Sequence, residues 1–431
     1  MDDPRPITPL AAPPAGVEVR VPGGRSVTNR ALVAAALAEG TSVLRGAGLS
    51  DDSEAMIDCL RALGATVTVA GTDVTVVGVA GRPQGRTEVF TRLSGTTSRF
   101  VTAVAALADG PVRIDALPPM RARPMGDLVD ALRGLGVTVD EHGEPGHLPL
   151  TVAGPIAGDR VAVPGTISSQ YTSGLLLAGG ARIGGLTVEL GTDRLVSAPY
   201  VAMTTQVMEA FGVVAEATAA GFATRGGGYR ASDFDVPADA ATAAYLLAAA
   251  AVTGGTVTVP ALPTADLQAD VELVDVLGAM GCTVSWSGRD VTVTGPARGR
   301  LTGGRTFDLT AFSDMAPTVA VLAAFADGPV EVAGVGFIRG KETDRIAASV
   351  AELRRIGVAA DETDDGFVVW PGGRPEGVDP HGAVIETYDD HRTAMSFALV
   401  GLVVPGISIS DPTVVGKTHP GFWADLDRLR P

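Results

Sequence analysis

The chain has 431 residues, of which 46% are apolar and 19% charged, and carries a formal charge of -16. That length and apolar content allow two or more buried cores and exclude a disordered chain. The acidic balance argues against a nucleic-acid partner, since phosphate backbones are bound by dense basic surfaces; a small-anion site here must gather its cations locally.

The opening stretch MDDPRPITPLAAPPAG begins acidic and continues in proline and alanine, unlike a signal peptide with its cationic start and apolar run. The most apolar stretches, AATAAYLLAAAAV and APTVAVLAAFA, fall short of a membrane span and read as buried helices. A cytoplasmic protein is expected. Cys59 lies in a helical pattern and Cys282 in a strand-like one, without a CxxC. Each reads as a buried structural thiol rather than a metal ligand or nucleophile. His142, His147, His381 and His419 show no ligand spacing, so no metal site is expected.

Along the chain one unit recurs six times: an alanine-rich helix, a strand, a loop, a second helix closed by an apolar-Gly pair, and another strand. Copy one runs from NRALVAAALAEG to MIDCLRALGATVTV, copy two from SRFVTAVAALADG to LVDALRGLGVTV, and copy three from SGLLLAGGARIGG to VMEAFGVVAE. Copies four and five run from AAYLLAAAAVTGG to LVDVLGAMGCTVSW and from APTVAVLAAFADG to VAELRRIGVAAD. Copy six opens at TAMSFALVGLVVPG and ends in FWADLDRLRP. Gly64, Gly136, Gly212, Gly281 and Gly357 fall where left-handed C-caps are needed. Ile346, Val350, Leu353 and Ile356 mark the apolar face of one second helix. The polar stretch GGGYRASDFDVPADA after copy three is the natural seam. Two α/β domains of three units follow, residues 23–237 and residues 1–22 with 238–431.

Polar groups collect in the loops after each first strand and at helix entrances, where connections carry function and free N–H groups attract anions. The entrances hold Arg25, Ser26 and Arg30 in GGRSVTNR, Gly95 and Arg99 in LSGTTSR, and Ser168, Ser169 and Gln170 in TISSQYTSG. Asp314 stands in FSDMAPT, and Asp390, His391 and Arg392 in TYDDHR. The loops hold Arg121 and Arg123 in RARP, Ser197 and Tyr200 in DRLVSAPY, and the chain's only two lysines, Lys341 in GKETDR and Lys417 in GKTHP. Each motif has a plainer reading: ETDR as a helix start capped by Thr343 or Asp344 with Arg345 paired to a nearby acid, SSQ as an N-cap, Arg121 and Arg123 as solvated charges, and His391 as a satisfied structural histidine.

In their joint order, PGGRSVTNRAL, GTTSR, RARP, SSQ, SAPY, SD, KETDR, DHR and KT resemble the enolpyruvyl transferases from Val21 through the final helix. The resemblance implies a fold of two domains, each a pseudo-threefold set of βαβαββ-like units with helices inside, an inside-out α/β barrel, closing like jaws on the substrates. It implies transfer of the enolpyruvyl group of phosphoenolpyruvate to the 5-hydroxyl of shikimate 3-phosphate, by addition and then elimination of inorganic phosphate. Addition needs an acid for the methylene carbon and a base for the hydroxyl, and elimination reverses the roles. By resemblance Glu342 handles the methylene proton and Asp314 the hydroxyl, with Lys341 and Arg25 at the reacting centre.

Arg345 and Arg392 are carried over as ligands of the phosphoenolpyruvate carboxylate, the planar group that suits a guanidinium fork. Arg123, Lys417, Gln170, Arg25 and the Gly95 backbone are carried over to its phosphate. Ser26 and Arg30 take the shikimate carboxylate and Ser168, Ser169 and Ser197 its phosphate, while Gln170, Tyr200, Asp314 and Lys341 line the same acceptor. The first domain is then the acceptor-phosphate side, and the second bears the catalytic carboxylates. The implied protein works without cofactor, metal, membrane or nucleic acid, as a monomer on two small molecules.

Three departures bear on the acceptor. Gly24-Arg25 replaces the usual Ser-Lys, Ser94 and Thr97 stand in a motif that usually reads Asn-Ala-Gly-Thr-Ala, and Phe337 takes an often polar place. They keep open a transferase of specialised metabolism acting on another phosphorylated alcohol, such as a nucleotide. A non-catalytic anion-binding protein is a third reading, and both carboxylates argue against it.

Overall fold

The computed structural model describes residues 4–164, 168–191, 198–265, 267–297, 300–371 and 380–430. The chain divides into two compact units, Gly23–Pro237 and Met1–Pro22 with Ala238–Pro431. No helix among the described residues is long and apolar enough to cross a membrane.

In the unit Gly23–Pro237, three helices are buried along nearly their whole length: Arg25–Leu37, Gly95–Ala105 and Ser169–Gly180. Apolar and small residues on every side leave such helices no stable place but the interior. Gly174 shows why small residues matter, since a Cβ there would lie 3.1 Å from the Arg99 carbonyl oxygen of the neighbouring helix. Around these helices stand three four-stranded sheets of one plan. Thr87–Phe90 pairs parallel with Val112–Asp115, which pairs antiparallel with Leu150–Ala153 and through it with Thr138–Glu141. Arg160–Val163, Leu186–Leu190, Gly221–Thr224 and Ala215–Thr218 repeat the order. Asp233–Asp235, Thr41–Arg45, Asp73–Val77 and Thr66–Ala70 do so again, so the last strand of the unit closes the first sheet.

The unit with residues 238–431 follows the same plan around the buried helices Ala240–Thr253, Ala316–Ala324 and His391–Gly401. Ala15–Glu18 pairs parallel with Thr256–Val259, and Arg305–Asp308 with Val330–Ala333. The sixth sheet has three strands, Arg5–Pro6, Ser408–Ile409 and Val384–Ile385. In copy six Ser408–Ile409 is followed by the helix Phe422–Asp427, and the N-terminal strand Arg5–Pro6 pairs antiparallel with Ser408–Ile409.

The repeat is therefore richer than the sequence pattern, which omits the short strand preceding each buried helix. The helix-closing glycines behave as expected, with φ between +80° and +99° at Gly64, Gly136, Gly212, Gly281 and Gly357. Cys59 is buried within a helix, and Cys282 is buried just ahead of the strand Thr283–Ser287 rather than in it.

Candidate functional site

In the unit bearing residues 238–431, three carboxylates, two of them from distant segments, converge on one buried guanidinium. Asp344 is the N-cap of the helix Arg345–Arg355 and accepts from the Ile346 and Ala347 amides at 3.1 and 3.0 Å. The plain capping reading of ETDR is thus correct, and its consequence is to aim the first helical side chain, Arg345, inward, where it is 2% exposed. Arg345 donates from Nε to Asp390 at 2.6 Å, from Nη1 to Asp314 at 2.8 Å and from Nη2 to Glu342 at 2.8 Å. Burial works against its charge, but the Asp390, Glu342 and Asp314 carboxylates outweigh it and raise its pKa.

Asp314 comes from the single turn Ser313–Met315 that leads into a buried helix. Its other oxygen accepts from Arg392 Nη2 at 2.6 Å, and Arg392 Nη1 reaches the Tyr245 hydroxyl at 3.2 Å. Burial pushes the Asp314 carboxyl up, yet Arg392, Arg345 and Lys341 prevail and hold it well below the usual carboxylate range. Lys341 lies 5.8 Å from the Phe337 ring centroid. Glu342 takes Lys417 Nζ on Oε1 at 2.8 Å. Both proposed proton carriers therefore sit on cations, one carboxylate oxygen each shared with Arg345.

His391 departs from expectation. It is 2% exposed, but among the described residues neither ring nitrogen has a hydrogen-bond partner, and Asp390 Oδ1 lies 3.6 Å from Nδ1. Burial, then Lys417 and Arg392, depress its pKa well below the ordinary imidazole value. Its surroundings thus favour the neutral imidazole, without a hydrogen-bond partner among the described residues.

In the unit Gly23–Pro237, Arg25 pairs through Nη1 with Oδ2 of Asp52, a carboxylate only 2% exposed. Arg30 donates from Nε to Thr204 at 2.7 Å, from Nη1 to the Ser26 carbonyl at 2.8 Å and from Nη2 to the Tyr200 carbonyl at 3.2 Å. Burial lowers its pKa to about 10, so it stays charged near neutrality. Ser168 caps the helix Ser169–Gly180 by accepting from the Gln170 amide at 3.3 Å. The Gln170 side chain accepts from Arg99 at 3.1 Å and donates to Thr96 at 3.1 Å. Arg123 flanks Gly95 closely enough that a Cβ there would lie 2.9 Å from its Nη1. Arg121 instead forks onto Asp115 with two 2.8 Å bonds. Ser197 lies outside the described residues.

Asp52 and Arg99 are partners that motif reading did not assign. Asp52 is hidden in LSDD, which reads as an acidic helix start. Tyr245 left a faint signal, the one tyrosine in a helix otherwise built of alanine, leucine, valine and two threonines.

Two three-sheet units around buried helices are the architecture of the enolpyruvyl-transferase class. A family model described as EPSP synthase (3-phosphoshikimate 1-carboxyvinyltransferase) matches residues 13–426, and the chain belongs to that family. The 3-phosphoshikimate 1-carboxyvinyltransferase of Nostoc punctiforme is 41% identical, with 95% of each chain covered. That of Thiobacillus denitrificans is 42% identical, covering 94% of this chain and 95% of its own. A solved EPSP synthase from Acinetobacter baumannii aligns with a TM-score of 0.82 at 25% identity, over 100% of this chain and 98% of that one.

Proposed function

We propose that the protein transfers the enolpyruvyl group of phosphoenolpyruvate to the 5-hydroxyl of shikimate 3-phosphate. The observation that carries this is the sharing of Arg345 between Asp314 and Glu342, with Arg392 and Lys417 on their outer oxygens. The name carried by both bacterial relatives supports this acceptor over a nucleotide.

In the addition, the acceptor oxygen attacks C2 of phosphoenolpyruvate while Asp314 takes the hydroxyl proton and Glu342 protonates C3. In the elimination, Glu342 takes a proton back from the new methyl group, the C2–O bond to phosphate breaks, and inorganic phosphate leaves with a proton from Asp314. The balance uses no redox equivalent and calls for no cofactor. Arg345 and Arg392 receive the phosphoenolpyruvate carboxylate, and to do so they exchange part of their hold on Asp314. A carboxylate held by two guanidiniums is a poor base, and one released from them is a better one. Substrate entry thereby raises the basicity of Asp314 at the moment it is needed.

Lys417, Arg123, Gln170, Arg25 and the Gly95 backbone take the phosphate of phosphoenolpyruvate, which is the leaving group. Ser26, Arg30, Ser168, Ser169 and Tyr200 serve the shikimate side, and Lys341 stays beside Asp314 and the acceptor. The test is incubation with both substrates, following phosphate release and product mass. Release only with another phosphorylated alcohol overturns the acceptor, and no release with any of them overturns the reading.

A further inference from the structure

Lys417 ends the short 3-10 helix Pro412–Lys417, and its ammonium reaches Glu342 from a segment that is mostly half-buried. Two residues on, His419 is 3% exposed, and its Nε2 lies 2.9 Å from Oδ2 of Asp425, itself 7% exposed, in the last helix. The carboxylate accepts, which puts the imidazole proton on Nε2. The other Asp425 oxygen forms an ion pair with Arg428 at 3.1 Å. The His419 amide also donates back to the Val415 carbonyl at 2.8 Å, so the turn and the imidazole are tied together.

The same last helix grips the turn at its start, where Trp423 Nε1 donates to the Pro412 carbonyl at 3.0 Å. Between these two ties stands Phe422, edge-on to the His419 ring at 6.2 Å and to the Tyr245 ring at 6.0 Å. Tyr245 in turn meets Arg392. A buried hydrogen bond to a carboxylate is a costly feature unless well paired, and here it fixes a turn whose only inward cation is Lys417.

We infer that the His419–Asp425 hydrogen bond is a brace that positions the Lys417 ammonium, making His419 and Asp425 positioning residues for phosphoenolpyruvate. This rests on the reading of Lys417 as a ligand of that substrate. The hydrogen-bond partner of His419 Nε2 is Asp425 and not Glu342, so the effect of the brace is expected at Lys417.

Having only two lysines, the protein makes Lys417 directly observable. With lysine side chains labelled with 15N, the ammonium spectrum has two signals, assigned through Lys341→Arg. Asp425→Ala is expected to move the Lys417 signal, leave that of Lys341, and raise KM for phosphoenolpyruvate about tenfold with KM for shikimate 3-phosphate unchanged. Asp425→Asn keeps an acceptor oxygen and is expected to restore both. His419→Leu fills the same space and gives the same readout should Asp425→Ala fold poorly. An unmoved Lys417 signal and an unchanged KM in Asp425→Ala and His419→Leu overturn the brace. If the wild-type protein does not turn these substrates over, the proposed function falls, while the lysine spectrum still decides the brace.

Discussion

Lys417 and Glu342, 75 residues apart, meet at 2.8 Å between Nζ and Oε1, and the second Glu342 oxygen is held at 2.8 Å by Arg345. A carboxylate gripped from both sides has one orientation, so a proton leaving or joining it travels along one line. Proximity of this kind converts a diffusive proton transfer into a directed one.

Glu342→Gln keeps the shape of that side chain and removes its charge. Turnover is expected to fall roughly a hundred- to ten-thousandfold, the span of a lost general acid-base group. Shikimate 3-phosphate affinity by calorimetry should be nearly unchanged, because its assigned ligands lie elsewhere. Retained turnover in the variant removes Glu342 from the proton path.

Gly95→Ala tests the phosphate side. A Cβ at this position would lie 2.5 Å from Arg99 Nη1 and 2.9 Å from Arg123 Nη1. Both are ends of long side chains that can move, so the protein should fold, with its melting temperature within a few degrees of wild type. Displacing Arg123 loses a charge-assisted hydrogen bond, and KM for phosphoenolpyruvate is expected to rise roughly tenfold or more. An unchanged KM separates Arg123 from the phosphate.

Which parts of this were legible beforehand follows from what leaves a local trace. The six copies were legible because each buried helix is rich in small and apolar residues and five of the six outer helices end at a positive-φ glycine such as Gly357. The short strands ahead of the buried helices were not. Two to four residues, as in Val384–Ile385, carry too little alternation to stand out. Within the site, KETDR announced Glu342 and Arg345 through a motif, whereas Asp52 could not be found that way. Its role depends on Arg25, which is distant in sequence and brought close only by the packing of two helices. Asp390 was seen as a helix-entrance residue, but its second role on Arg345 appears only in three dimensions.

His391 predicts the acid limb of stability. Folded, its imidazole stays neutral because burial and the adjacent cations depress its pKa; unfolded, it takes up a proton as pH falls through about 6.5. The unfolded state then binds more protons, so stability should decrease below pH 6.5, by up to about 1.4 kcal/mol per unit for this one group. Asp314 acts lower, since a depressed carboxyl contributes above about pH 4 and loses that contribution only as pH falls further. Denaturant midpoints between pH 7 and 5 should show a shallower slope in His391→Phe than in wild type. Equal slopes would mean that the imidazole titrates alike in both states.

Arg25 stands where the family's first motif usually has lysine, and its pairing with Asp52 decides what the exchange means. Arg25→Ala strands a carboxylate that is 2% exposed, which costs about 3–5 kcal/mol when a buried partner is removed. Arg25→Lys restores charge but not the fork. A guanidinium can hold Asp52 with one nitrogen and present another to a phosphate oxygen, while an ammonium must choose. The expected result is a protein of near wild-type stability whose KM for phosphoenolpyruvate rises roughly tenfold, the worth of about one charge-assisted hydrogen bond. Steady-state kinetics at fixed ionic strength, beside urea melts, separate the two effects. Higher activity in Arg25→Lys would instead mark the arginine as a tolerated substitute around which nothing has been rebuilt.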